Sequence, residues 1–156
     1  MGVLMTYVEA PNTIESDKKS LFLAGGITGC GPWAFKLIEN LSDLDIVVFN
    51  PRRENFPIDD PSAAKAQITW EYVHLRKSFA ISFWFGPETI QPIVLFELGS
   101  WVVSNKPLVI GVHPEYKRKQ DVEIQTALAR PDIKIVYSLD DLTGQIFKKV
   151  NEILFI

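Results

Sequence analysis

A chain of 156 residues is long enough for one domain with a full core and short for two. Its 47% hydrophobic and 22% charged residues are the mix of an ordinary soluble globular protein, and a formal net charge of −3 leaves no basic footprint for nucleic acid. The single cysteine, Cys30, excludes an intramolecular disulfide and a multi-cysteine metal site, and no stretch approaches the roughly 18 to 20 apolar residues that span a bilayer. A cytoplasmic protein with neither a nucleic-acid nor a membrane partner is the expectation.

Residues 1–20 are polar and unperiodic and read as a loose N-terminal arm or an extension lying on the surface, with the domain proper over 21–156. The first strand is expected over Leu21–Ile27. It runs into Gly25-Gly26-x-x-Gly29, a turn that brings backbone close to a ligand and exposes amide donors at the start of a helix over Pro32–Leu41. The spacing is not that of the dinucleotide fingerprint GxGxxG, and no GxxxxGK[ST] occurs. A second strand, Ile46–Asn50, leads into Asn50-Pro51-Arg52-Arg53, which sets an amide and two guanidinium groups at a strand end, suited to a polar heterocycle or an anion. The loop Pro51–Pro61 is long enough to serve as a lid.

The helix predicted over Ser62–Lys77 carries Gln67, Trp70, Glu71 and His74, with Gln67 and Glu71 four residues apart on one face. Next come a strand over Ala80–Phe85, a helix over Pro92–Ser104, a strand over Leu108–Val112, a helix over Asp121–Ala129, a strand over Ile133–Tyr137 and a helix over Leu139–Leu154. Near-continuous apolar strands alternating with helices imply a single α/β domain, a doubly wound five-stranded parallel sheet of flavodoxin-like or Rossmann-like form. Such sheets bind ligands beyond the carboxyl ends of their strands, near the switch in strand order. Trp33, Trp70 and Trp84 fall near that end, where aromatic faces suit a stacked base, although core packing explains each equally well.

Glu97 is the only charge in Pro92-Ile93-Val94-Leu95-Phe96-Glu97-Leu98-Gly99-Ser100-Trp101-Val102-Val103. An ionised carboxylate buried without partners costs several kcal/mol or more, so such a residue is neutralised, paired or kept for chemistry. A structural ion pair and a catalytic carboxylate both fit. Pro92 as first helical residue would set Glu97 in the second turn, near helix amides that favour the ionised form. Metal-ligand spacing is absent, as is any Ser-His-Asp or Cys-His arrangement, so neither metal nor cofactor is expected.

Taken together, Leu23-Ala24-Gly25-Gly26-Ile27, Asn50-Pro51-Arg52-Arg53, Gln67-Ile68-Thr69-Trp70-Glu71, Phe83-Trp84-Phe85 and Pro92-Ile93-Val94-Leu95-Phe96-Glu97-Leu98-Gly99 resemble the nucleoside 2-deoxyribosyltransferase family, most of all its branch with the Asn-Pro-Arg-Arg loop. The resemblance runs from about Leu21 to the C-terminus. It implies transfer of a 2-deoxyribosyl group between nucleobases through a covalent glycosyl-enzyme, with Glu97 of the Glu-Leu-Gly motif as nucleophile and Glu71 as general acid and base. Nucleosides and free nucleobases are the implied partners, in a homo-oligomer whose pockets are completed by a neighbouring subunit. In some relatives the C-terminal carboxylate, here on Ile156, lies near the nucleophile.

The expected substrate-binding set is Gly25, Gly26, Trp33, Asn50, Arg52, Gln67, Trp70, Trp84 and Gln91. Two departures from the family pattern stand out: Gln91 replaces an aspartate that contacts the nucleoside in some relatives, and Phe79 stands where an aspartate is often found. Two alternatives stay open, an N-glycoside hydrolase of nucleosides or their 5′-monophosphates and a non-catalytic nucleoside-binding module.

Overall fold

A computed structural model describes residues 4–53 and 56–152. Five strands, β1 (Thr6–Glu9), β2 (Ser20–Gly25), β3 (Val47–Asn50), β4 (Ala80–Phe85) and β5 (Leu108–Val112), form one sheet in the order β1-β3-β2-β4-β5, every neighbouring pair parallel. The helices are α1 (Trp33–Asn40), α2 (Pro61–Lys77), α3 (Pro92–Val102), α4 (Lys119–Ala129) and α5 (Leu139–Val150). Ile156 and the end of the last predicted helix lie outside the described residues, as do residues 54 and 55 of the proposed lid.

Alternation along β2 shows why both sheet faces are covered. Leu21 and Leu23 point to one side, into a core shared with Trp33, Leu37, Trp84, Leu142 and Ile146 from α1, β4 and α5. Phe22 and Ala24 point to the other, among Phe49, Trp70, Phe83, Phe85, Val94 and Leu98. A strand buried on both faces has no polar alternation, and β2 to β5 are legible for that reason. The helix ends are also written locally: the Asp60 carboxylate accepts from the Ser62 N–H at 3.0 Å ahead of Pro61, and the Ser138 hydroxyl accepts from the Asp141 N–H at 3.0 Å.

Two expectations are corrected, both at sheet edges. The supposedly loose arm supplies β1, which pairs with β3 from Thr6 opposite Val47 to Glu9 opposite Asn50. An edge strand is covered less than an inner one, and Val8 alone among the four residues of β1 is buried; the apolar residues in and just before it, Val3-Leu4-Met5 and Tyr7-Val8, are broken by Thr6 and followed at once by Glu9. Conversely, 133–137 is not a strand. It touches the sheet through one bridge, Gly111 with Val136, whose hydrogen bonds to Val112 and Ile110 measure 2.9 and 3.0 Å. Only Val136 of that segment is buried, and Lys134 and Tyr137 face solvent. The first strand also ends two residues early, because Gly26 and Ile27 belong to the turn.

From β2 the chain moves to β3 on one side, then crosses back to β4 on the other. The switch in strand order therefore falls between β2 and β4, and the turns that follow these two strands face each other at the carboxyl ends.

Candidate active site

A cavity of ≈ 830 Å³ opens at that switch point, between α2, α3 and the turn after β2. This lies within the range of small-molecule sites. Helix α3 starts at Pro92 behind Gln91, whose backbone is left-handed (φ 57°, ψ 62°). Val94 and Leu98 anchor the helix in the core, which turns Glu97 toward the cavity, where it is 9% exposed. Glu71 reaches the same cavity from α2, half-buried.

The surroundings of the two carboxylates decide between the readings of Glu97. Neither joins an ion pair among the described residues, so the structural salt bridge has no partner. Burial pushes the Glu97 pKa from its ordinary 4.5 up to about 8, and the Glu71 carboxylate adds to the push. Burial also raises the Glu71 pKa, with the Gln67 side chain pulling the other way. The expectation that helix amides hold Glu97 ionised gives way to desolvation. Its place in the second turn lies beyond the reach of the unsatisfied amides, the helix ladder having already begun with the Leu95 N–H donating to the Gln91 carbonyl at 3.1 Å.

Of the other expected site residues, Gly25, Gly26 and Gln91 line the cavity. The three tryptophans do not, and the stacking role expected of them is corrected. Trp33 lies under the glycine turn, where a Cβ on Gly25 would meet its ring at 2.1 Å, and its Nε1–H donates to the Gly26 carbonyl at 2.9 Å. Trp70 stacks on His74 at 4.0 Å and donates to the Asn12 carbonyl at 2.8 Å. Trp84 belongs to the core on the opposite sheet face. Each ring is buried, and for Trp33 and Trp70 the indole N–H is already spent on backbone.

Asn50, Arg52 and Gln67 act as braces instead of wall residues. The Asn50 Nδ2 donates to the Tyr7 hydroxyl at 3.0 Å and its Oδ1 accepts from the Arg52 N–H at 3.0 Å. The Arg52 Nη1 donates to the Gly31 carbonyl at 2.9 Å, and the Gln67 Nε2 to the Pro51 carbonyl at 2.7 Å. Only Pro51 of the Asn-Pro-Arg-Arg loop reaches the cavity. The aromatic wall is built from Tyr72, Phe96 and Trp101, which sequence reasoning missed. The available signal was adjacency, since Tyr72 follows Glu71 and Phe96 precedes Glu97.

Among the described residues no group of three His, Cys, Asp or Glu is placed to hold a metal ion, and no helix is long and apolar enough to cross a membrane. In a doubly wound parallel sheet a cavity at the switch point is the expected place for a small-molecule site, and here it holds two carboxylates that join no ion pair among the described residues. The chain belongs to the nucleoside 2-deoxyribosyltransferase-like family, whose sequence profile matches residues 18–116, a span that includes both glutamates. The crystal structure of a conserved protein from Enterococcus faecalis V583 shares the fold, with a TM-score of 0.59 and 18% identity over 85% of this chain and 99% of that one. No curated protein matches the sequence.

Proposed function

We propose that the protein is a nucleoside deoxyribosyltransferase that works through a covalent glycosyl-enzyme on Glu97, with net retention. The observation that carries this reading is the pair itself: two carboxylates in one desolvated cavity, neither in an ion pair among the described residues, one raised to about 8 partly by the other. Such a pair holds one proton near neutral pH, and its titration belongs to the two groups jointly. Double displacement on a glycoside needs one carboxylate and one carboxylic acid.

In the first step a Glu97 oxygen bonds to the anomeric carbon, the carbon–nitrogen bond to the base breaks, and Glu71 gives its proton to the departing nitrogen. In the second, Glu71 takes the proton from an incoming base, whose nitrogen displaces Glu97 from the same carbon. The proton that burial places on Glu97 in the free protein has to pass to Glu71 when substrate enters. Positive charge developing at the anomeric carbon favours that exchange. Water in place of the second base gives hydrolysis.

Incubating the protein with a deoxynucleoside and a different free base should yield the exchanged nucleoside. Absence of exchange across purine and pyrimidine pairs would overturn the proposal. Glu71→Gln is expected to slow base departure by about 10²–10⁴-fold, most for the poorest leaving groups. Equal slowing for all bases would remove the acid role from Glu71.

Ile68, Tyr72, Ile93 and Phe96 stand exposed around the cavity, so the proposed assembly is a homo-oligomer in which a neighbouring subunit covers these side chains and excludes water. Sedimentation at micromolar concentration should show no monomer, and a purely monomeric active enzyme would sink this part. A cytoplasmic role in nucleoside salvage suits such an enzyme.

Hydrolysis of a nucleoside 5′-monophosphate is the second reading, favoured by Arg76, the one cation in the cavity wall among the described residues. Its guanidinium lies 3.3 Å from the centroid of the Tyr72 ring. Competition by nucleoside monophosphates that Arg76→Met abolishes would favour that reading.

A further inference from the structure

We propose that Gln91 is a positioning residue, which clamps the turns after β2 and β4 together and so holds the first turn of α3, and Glu97 with it, in place against Glu71. The proposal rests on the assignment of these two glutamates as the catalytic pair. It assigns Gln91 a role other than touching the nucleoside.

Gln91 is 6% exposed, and its carboxamide is nearly exhausted inside the protein. Its Oε1 accepts from the Gly26 N–H at 3.1 Å, while its Nε2 donates to the Gly86 carbonyl at 3.0 Å and the Thr89 carbonyl at 3.3 Å. Both amide hydrogens are used, and one lone pair is all that remains. Gly26 is held from two sides, since Trp33 takes its carbonyl at 2.9 Å while Gln91 takes its N–H. A Cβ on Gly26 would lie 2.9 Å from the Gln91 Cδ and 2.3 Å from the Cys30 Sγ, so the approach needs glycine.

The backbone supports the same conclusion. Gln91 is the only non-glycine residue with positive φ among the described residues, at the position just ahead of Pro92. A left-handed glutamine persists only where its surroundings hold it there, and the three side-chain hydrogen bonds supply that hold. Its carbonyl then accepts the first bond of α3, from the Leu95 N–H at 3.1 Å. The chain of restraint runs from Gly26 through Gln91 to the start of the helix that carries Glu97 in its second turn.

The chemistry calls for an amide. A carboxylate at this position would accept from Gly26 but face the Gly86 and Thr89 carbonyls with no proton to give. Gln91 thus stands where some relatives are expected to have an aspartate that contacts nucleoside, but its carboxamide is engaged with Gly26, Gly86 and Thr89.

Three variants test the proposal. Gln91→Glu nearly preserves shape and removes both donors. Gln91→Asn keeps the amide and tolerates the left-handed backbone but is one methylene short, and Gln91→Gly relieves the backbone and removes the clamp. In each, kcat is expected to fall about 10- to 100-fold by the same factor for every nucleoside, with KM within about 3-fold, because displacement of the helix misplaces the nucleophile without touching substrate. Relative to the wild-type protein at the same pH, turnover by Gln91→Glu should recover as the pH is lowered toward about 5, where the new carboxyl regains a proton to donate.

A second readout does not depend on turnover. Hydrogen exchange at the Gly26 amide should quicken at least about 10-fold in Gln91→Gly while amides of β4 stay protected. If Gln91→Glu does not fold, Gln91→Gly and Gln91→Asn carry the same readouts. A base-dependent rise in KM with unchanged kcat and unchanged Gly26 exchange would overturn the proposal and return Gln91 to the substrate. Should the wild-type protein exchange no base, the functional reading falls, and the clamp is judged by Gly26 exchange alone.

Discussion

Replacing Glu97 with alanine is expected to abolish base exchange and nucleoside hydrolysis together, by about 10⁴-fold or more, while leaving the fold intact. Both reactions pass through the same glycosyl-enzyme, so a single nucleophile gates them. A residue that only placed the incoming base would change the ratio of exchange to hydrolysis instead. Stability should not suffer, because Glu97 contributes no ion pair and its carboxyl is desolvated. Mass spectrometry of wild-type protein quenched with a deoxynucleoside should show a pentosyl adduct on the peptide that holds Glu97, absent from Glu97→Ala. An adduct elsewhere, or exchange retained by the variant, would name the wrong nucleophile.

The sequence disclosed the sheet's interior better than its margins, and the reason is physical. The strands β2 to β5 are covered on both faces, so their apolar runs survive as a signal in the linear chain. At the edges the signal misleads in both directions. Thr6-Tyr7-Val8-Glu9 is a strand despite one buried residue, while 133–137 is apolar yet meets the sheet at one bridge.

The site divides in the same way. A lone charge in an apolar helix is conspicuous in the linear chain, because burial penalises it whatever its role, and Glu97 stands out on that ground alone. Indole rings carry no such mark. Trp33 under the glycine turn and Trp70 against His74 would look the same in sequence had they faced a ligand. The braces Asn50, Arg52 and Gln67 were invisible for a further reason. Their partners, Tyr7, Gly31 and Pro51, sit 43, 21 and 16 residues away along the chain, and only the fold brings them together.

Stability should fall as pH rises from about 6.5 to about 8, and Glu97→Gln should remove most of that fall. The folded protein holds the Glu97 proton up to about 8, whereas the unfolded chain releases it near 4.5. Between those values the native state binds more protons than the unfolded one, so each rise in pH favours unfolding, and the loss is complete above about 8. Glu71 is raised as well and acts with the same sign. Other groups act mainly outside the upper part of this window. His74 is lowered from 6.5 by burial, so its contribution rises with pH and is complete by about 6.5. Burial lowers Lys106 to about 8 from 10.5, so its contribution begins only near 8 and also rises with pH. Asp60 and Asp132 titrate below 3.8. From 6.5 to 8 the glutamate pair therefore governs the trend. At about 1.4 kcal/mol per unit the change is on the order of 2 kcal/mol, or roughly 4–8 °C in Tm for a chain of this size. Urea unfolding at fixed protein concentration, repeated across that window, measures it. A flat wild-type curve, or an equal slope in Glu97→Gln, would mean that the Glu97 carboxyl is ionised in the free protein and that no proton has to leave it when substrate binds.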